Sequence, residues 1–301
     1  IEGRGKWVPY NKGGDFKRWY GNRENVLRWN GSDSELSARL TWKKKRPTLR
    51  NRKHWFEEGY TWTTVSGGGF SARYCEKGAM FDNGGCTLFG KNNLHLLGGL
   101  LNSKVADRYL DFLAPTLNFQ PGDIGSVAIE ESIFNSANVV EEIVKSCVEL
   151  SKDDWSSREQ SWNFKTNELT KRNEKLIAKA FDSYKTDWVN KFHLLHQKEE
   201  LLNSIFINHY GLQYELTPNV KLESITILQD EVIVTNNQIS IDPIRVLSQL
   251  FSFSIGCIFG RYSLDKSGLI LSGHAETIED FLRQISAPKF FPDEDNIIPF
   301  L

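Results

Sequence analysis

A stripe of apolar side chains, spaced alternately by three and four residues, runs through Ile177, Phe181, Tyr184, Trp188, Phe192, Leu195, Leu202 and Phe206. Glu199 fills the one polar slot. This spacing is one face of an α-helix, and it predicts a helix from about Glu168 to His209. At about 1.5 Å per residue that helix would reach roughly 60 Å, the length of a spacer or coiled-coil arm. A second stripe, Val140, Ile143, Val144, Cys147 and Val148, lies just upstream. We expect Phe181, Trp188 and Leu195 to be buried against it. The tryptophan-rich segment 155–164 separates the two stripes.

The residues before about 131 carry a different period. Tyr60 to Val65 is a β-branched and aromatic run ending on Gly67-Gly68-Gly69, and short strands are expected from Phe70 to Cys75 and from Gly78 to Phe81. Asn92 or Asn93 can cap a helix running through about Leu113, and Ile124 to Ile129 reads as a closing strand. At the far end, Ile225 to Val234 alternates as a strand or hairpin. Asp242-Pro243 then opens a helix to about Phe259, and Thr277 to Ile285 forms a short last helix. The whole reads as α+β in three parts: a mixed α/β domain over 5–135, a helical spacer over 136–216 and a small α/β part over 217–301.

Several function classes are excluded early. No stretch approaches the roughly 20 consecutive apolar residues of a membrane span. The four cysteines, Cys75, Cys86, Cys147 and Cys257, lie far apart with no C-x-x-C pair, which argues against a zinc site or a disulfide framework. A reduced, cytoplasmic bacterial setting is expected. Among the six histidines only His193 and His196 have close helical spacing, and no further ligand lies nearby, so we assign no metal. Ile1-Glu-Gly-Arg4 resembles the recognition tetrapeptide of a protease used to remove fusion tags and is left out of the fold argument. Both ends read as cuts in a longer protein.

Charge is distributed unevenly. The net charge of -1 combines a basic start, 16 Lys+Arg against 7 Asp+Glu in residues 1–75, with an acidic remainder of 21 against 31. A basic end on an acidic body points to a polyanionic partner for that end alone. The charge peaks in residues 41–55, where Lys43, Lys44, Lys45, Arg46, Arg50, Arg52 and Lys53 occur with no carboxylate among them. Lys and Arg neutralise phosphates, and Arg can also read base edges. The segment is either a DNA-contacting loop or a solvated one; with Lys6, Lys12, Lys17, Arg18, Arg23 and Arg28 close by in the sequence, we take the first reading. For Lys12-Gly13-Gly14 a fold-fixing turn is an equal alternative. Phe259-Gly-Arg-Tyr262 reads as a helix end rather than a DNA contact.

Lys6-Trp-Val-Pro-Tyr-Asn-Lys-Gly-Gly-Asp-Phe-Lys-Arg-Trp-Tyr-Gly21 resembles the segment that opens the target-recognition region of BREX-type adenine-specific methyltransferases. So do Gly59-Tyr-Thr-Trp62, Phe81-Asp-Asn-Gly-Gly85, Leu100-Leu-Asn-Ser-Lys-Val105 and Thr116-Leu-Asn-Phe-Gln-Pro-Gly-Asp-Ile124. The likeness continues through Ser151-Lys-Asp-Asp-Trp155, Ser161-Trp-Asn-Phe164, Ile207 to Leu216 and Gly256 to Asp265. It implies a phage-defence enzyme that transfers a methyl group from S-adenosylmethionine to adenine N6 at a short DNA site. It also implies that the catalytic domain lies N-terminal to this segment. A second likeness, to recognition domains of type I restriction specificity subunits, again pairs a globular reader with long spacer helices.

Methyl transfer to a flipped adenine needs a loop of the form Asn/Asp-Pro-Pro-Tyr/Phe, and no two of the nine prolines are adjacent. The glycine triplet leads from strand to strand, so no strand-to-helix cradle for the methyl donor is expected. The chain is therefore expected to be inactive alone and to bind no cofactor. Its expected role is sequence-specific reading of duplex DNA for the full-length enzyme. The alternative is a protein-interaction module that docks other defence components or a phage inhibitor. Gly31 to Arg52 matches no family motif, which suits a site-specific loop but transfers no individual base contact. The candidate DNA-binding residues are thus Lys12, Lys17, Arg18, Lys43, Lys44, Lys45, Arg46, Arg50, Arg52 and Lys53.

Overall fold

The structure, a computed structural model, describes residues 6–30, 51–273 and 275–293. Its contacts group into two compact units, residues 1–152 with 197–220 and residues 153–196 with 221–301. The division expected from the sequence follows chain order. The contacts instead divide two long helices, α4 (Ala137–Ser156) and α5 (Ile177–His209), each of which contributes to both units.

In the first unit, β1 (Lys6–Asn11) pairs antiparallel with β2 (Val26–Trp29) and parallel with β5 (Met80–Phe81). A second sheet sets β3 (Gly59–Thr63) between β4 (Ala72–Cys75) and β6 (Gly85–Leu88), antiparallel to both. The strands expected around Tyr60, Phe70 and Gly78 are thus β3, β4 and β5. The segment between β1 and β2 is drawn alongside β4: Trp19 N donates to Ala72 O at 3.0 Å and Tyr74 N to Trp19 O at 2.7 Å. Trp19 sits at φ 70 and is buried. Its indole Nε1 donates at 2.7 Å to Glu199 Oε1. That bond explains the single polar slot of the α5 stripe, because a buried indole N–H requires an acceptor. Arg73 is buried as well and donates to Thr63 Oγ1 at 3.2 Å. Burial lowers its guanidinium to about 10, still charged at neutral pH.

The helix expected from residue 92 to 113 is two helices, α1 (Leu94–Leu101) and α2 (Lys104–Leu113). Ser103 causes the break. Its hydroxyl accepts from Ala106 N as the cap of α2 and donates to Leu100 O at 2.7 Å, satisfying end groups that a continuous helix would not expose. Asn102 in the same turn holds Ala72 from both sides, accepting from its N–H at 2.8 Å and donating to its carbonyl at 2.9 Å. The closing strand expected at Ile124 to Ile129 is also corrected. Pro121–Gly125 forms a short helix, α3. Pro121 supplies the fixed φ of a helix start, and the Asp123 carboxylate accepts from Gln120 N at 3.1 Å.

Helix α1 lies on β3 through glycine. A Cβ at Gly98 would stand 2.3 to 2.5 Å from the Tyr60 ring, and one at Gly99 would stand 2.7 Å from Val144. Tyr60 is wholly buried and cannot swing out to make room. Gly98→Ala is expected to cost about 3 kcal/mol, the upper end of an overpacking penalty. The check is a urea midpoint in the intact protein, which should fall; an unmoved midpoint would show that helix and sheet separate freely.

Helix α5 starts nine residues later than the stripe suggested, after a left-handed Asn173. With 33 residues it spans about 50 Å. Of the three residues expected to be buried, Trp188 and Leu195 are and Phe181 is half-buried; Tyr184, Phe192, Leu202 and Phe206 of the same stripe are buried too, and Ile177 is exposed. In the second unit, β7 (Val232–Thr235) and β8 (Gln238–Ile241) form a hairpin that overlaps only the end of the strand or hairpin expected at Ile225 to Val234; 225–231 carries no strand. Its turn is Asn236-Asn237, both at positive φ, the geometry that matches strand twist in a two-residue loop. Asp242 caps α6 (Pro243–Ile258), and Thr277 precedes α7 (Ile278–Gln284). The helix end after α6 turns on Gly260 at φ 69, and Tyr262 folds back on Phe164 and Phe253 in a buried cluster. Phe259 to Tyr262 is therefore a structural helix end.

Candidate nucleic-acid interface

A surface that holds a polyanion must display cations that the fold has not already neutralised. In the first unit several basic side chains are used internally. Arg18 Nη1 lies 3.3 Å from Glu199, and Arg18 Nη2 lies 3.8 Å from Asp107. Arg23 pairs with Glu76 at 2.9 Å, and Glu76 also takes Lys152 at 2.5 Å. Although burial alone would raise it, the hydrogen bond from Lys152 and the charges of Arg23 and Lys152 hold the Glu76 carboxyl below its usual range. Arg18, a candidate contact by sequence, is thus drawn into the fold, and we remove it from the reading surface.

The other candidates fall into two groups. Lys43, Lys44, Lys45, Arg46 and Arg50 lie outside the described residues. The chain on either side of them is held by aromatic contacts. Trp29, at the end of β2, meets Trp55 edge-on with ring centroids 5.7 Å apart and Phe56 at 6.4 Å. Phe56 N donates to Ala79 O at 2.9 Å, and Gly78 N donates back to Phe56 O at 3.0 Å. Arg52 and Lys53 stand exposed on the intervening 3-10 turn, whose third residue, His54, stacks on Phe89 and meets Glu57 at 2.8 Å. Both cations are therefore presented from a fixed base.

Lys12 is exposed at the end of β1, and Lys17 is half-buried in the following loop. Gly13 sits at φ 89, where a Cβ would come within 2.7 Å of Gly84 O, and Gly14 O accepts from Thr63 Oγ1 at 2.9 Å. Gly13 packs the loop on the β5–β6 turn and Gly14 ties it to Thr63 of β3, a fold-fixing role for both glycines that leaves Lys12 exposed. Trp7, which the sequence did not single out, and Arg28, which it marked only as part of the surrounding positive charge, face each other across β1 and β2 and are both exposed. Strand alternation could have flagged them once those two strands were recognised.

A cleft beside the start of α1 is lined by Glu58, Lys91, Asn92, Asn93, His95 and Glu141. Burial, then the Lys145 cation, pushes His95 below its ordinary value, so it is neutral at pH 7 and adds no positive charge. Two carboxylates in the lining make this cleft unsuited to phosphates. Among the described residues no group of three or more His, Cys, Asp or Glu comes together to hold a metal ion, and no helix is long and apolar enough to cross a membrane.

Similarity to known proteins agrees with the likeness seen in the sequence motifs. No protein-family model matches the chain. The chain is 32% identical over its whole length to part of the adenine-specific methyltransferase BrxX of Escherichia coli O9:H4 (strain HS). It is 34% identical over 99% of its length to part of the adenine-specific methyltransferase PglX of Lacticaseibacillus casei (strain Zhang). It spans only 25% and 24% of these two relatives. The chain is thus homologous to one segment of such proteins.

Proposed function

We propose that this chain, homologous along its length to a quarter of two adenine-specific methyltransferases, is the DNA-reading, non-catalytic part of a BREX-type phage-defence methyltransferase. The observation that carries the reading is the end-to-end alignment with a part of such enzymes, on a chain with no adjacent prolines to form the adenine-holding loop. The displayed Lys12 and Lys53, with the basic segment 43–50, supply the charge that duplex DNA requires. S-adenosylmethionine and transfer to adenine N6 belong to the remainder of the full-length protein. Gly67, Gly68 and Gly69 lie between β3 and β4, a strand-to-strand connection that does not fit the methyl donor. No catalytic step is assigned to this chain.

The intact protein is expected to bind duplex DNA with an affinity that falls steeply as salt rises, read by fluorescence anisotropy on cognate and scrambled duplexes. Binding that ignores salt, or no binding, would remove the reading. A second reading, a docking site for another component of the same defence system, has its own observation. Helix α6 carries a single charged residue, Arg245, and leaves Ile244, Phe251 and Ile255 exposed along one side. Large apolar side chains grouped on one exposed side of a helix are suited to a partner surface. Phe251→Glu separates the two readings, since it leaves DNA binding unchanged and removes a protein held on that side.

A further inference from the structure

Strands β1 and β2 form a two-faced ribbon whose register places Trp7 opposite Arg28 and Pro9 opposite Val26. Alternation along each strand turns these four side chains to one face. On the other face Val8 is buried, and Trp29 packs against Trp55 and Phe56. That face is used up by the fold. The first is not: Trp7 is 63% exposed, Val26 is 46% exposed, and Arg28 is exposed beside them. Parallel pairing of β1 with β5 fixes the ribbon, so the indole cannot turn inward without losing the register.

Chemistry selects the occupant. A large amphipathic ring in water beside an exposed guanidinium is suited to a surface that offers both apolar area and anionic oxygens. Neither strand contains a carboxylate, and the surrounding residues 1–75 carry 16 Lys+Arg against 7 Asp+Glu. A sugar–phosphate backbone meets all of these conditions.

We infer that the Trp7–Arg28 face is a contact to the backbone of duplex DNA, in addition to the basic segment that follows β2. The Arg28 guanidinium meets a phosphate, while the Trp7 ring lies on the neighbouring deoxyribose with its Nε1–H directed to a phosphate oxygen. This contact positions the duplex without choosing its sequence. It rests on the reading of the chain as a DNA reader, and its test separates the two.

In the full-length protein, Arg28→Ala is expected to flatten the salt dependence by about 0.9 log units per decade and to weaken cognate and scrambled duplexes alike. Trp7→Ala should weaken both duplexes by roughly fivefold to tenfold with the slope unchanged, the scale of a lost aromatic contact, and Trp7→Phe should restore most of it. Photocrosslinking to a duplex carrying 5-bromodeoxyuridine, followed by peptide mass spectrometry, should mark the peptide containing Trp7. Wild-type binding with both alanine variants unchanged, and no adduct on that peptide, would overturn this contact and leave DNA reading intact. A wild-type protein without salt-dependent binding would remove DNA reading itself, and this contact with it.

Discussion

Replacing Glu231 with alanine is expected to destabilise the second unit by about 3–5 kcal/mol, the range for removing one partner of a buried ion pair. Glu231 is 1% exposed and accepts from both Arg158 and Tyr184. Arg158 also donates to Asp154 at 2.7 Å and to Gln249 at 2.9 Å, and Asp154 in turn accepts from Leu228 N at 3.2 Å. Burial alone would lower the Arg158 guanidinium, but the Asp154 and Glu231 carboxylates outweigh it and hold it above its ordinary value. Burial, reinforced by Glu231, likewise pushes the Tyr184 phenol well up, so it stays a donor at any physiological pH. Without Glu231 a phenol and part of a guanidinium would lose their acceptor away from water. Denaturant titration followed by tryptophan fluorescence checks this, since Trp188 lies one helical turn from Tyr184 on α5. Glu231→Gln should recover part of the loss by accepting from Tyr184. An alanine variant as stable as the parent would mean that water solvates the network.

The largest expected effect on binding comes from Lys43, Lys44 and Lys45. Changed together to alanine, they should reduce the salt slope by about 2.7, at about 0.9 per phosphate contact, and weaken all duplexes by roughly two to three orders of magnitude at low salt. Arg50→Ala or Arg52→Ala should instead relax discrimination by about 1–3 kcal/mol at one base pair if the guanidinium reads a base edge. The distinction follows from what each group can do: an ammonium is a point charge, whereas a guanidinium fork can bond two acceptors on one base. Anisotropy across a salt series in the intact protein reads both quantities. A triple lysine variant with parental affinity and slope would make the segment a solvated loop.

What could be read in advance follows from the range of the forces involved. The α5 stripe and the Asp242-Pro243 helix start are local patterns, and each is found close to its expected place; the hairpin lies C-terminal to the expected Ile225 to Val234, because the Asn236-Asn237 turn sets its position. The single helix expected over residues 92–113 failed because apolar spacing continues across Asn102 and Ser103 while their side chains cap and tether the backbone. Pro121 and the Asp123 cap likewise set a short helix across the start of the strand expected at Ile124 to Ile129. Glu199 stood out as a polar slot, but its partners Trp19 and Arg18 lie about 180 residues away, and no pattern in the sequence links them. The same distance hid the internal use of Arg18. The pairing of Trp7 with Arg28 was hidden because strands β1 and β2 are short and separated by an irregular loop that gives no alternation to follow.

The central claim is that this chain chooses the DNA sequence while another part of the protein performs the transfer. Exchanging residues 6–135 of the full-length protein for the matching region of a relative with a different methylation motif tests it most directly, with methylome sequencing of cells that carry each version. The account predicts that the methylated motif changes to that of the donor of residues 6–135 and that adenine remains the modified base. A chimera that methylates the original motif would contradict it and place the choice of sequence elsewhere in the protein.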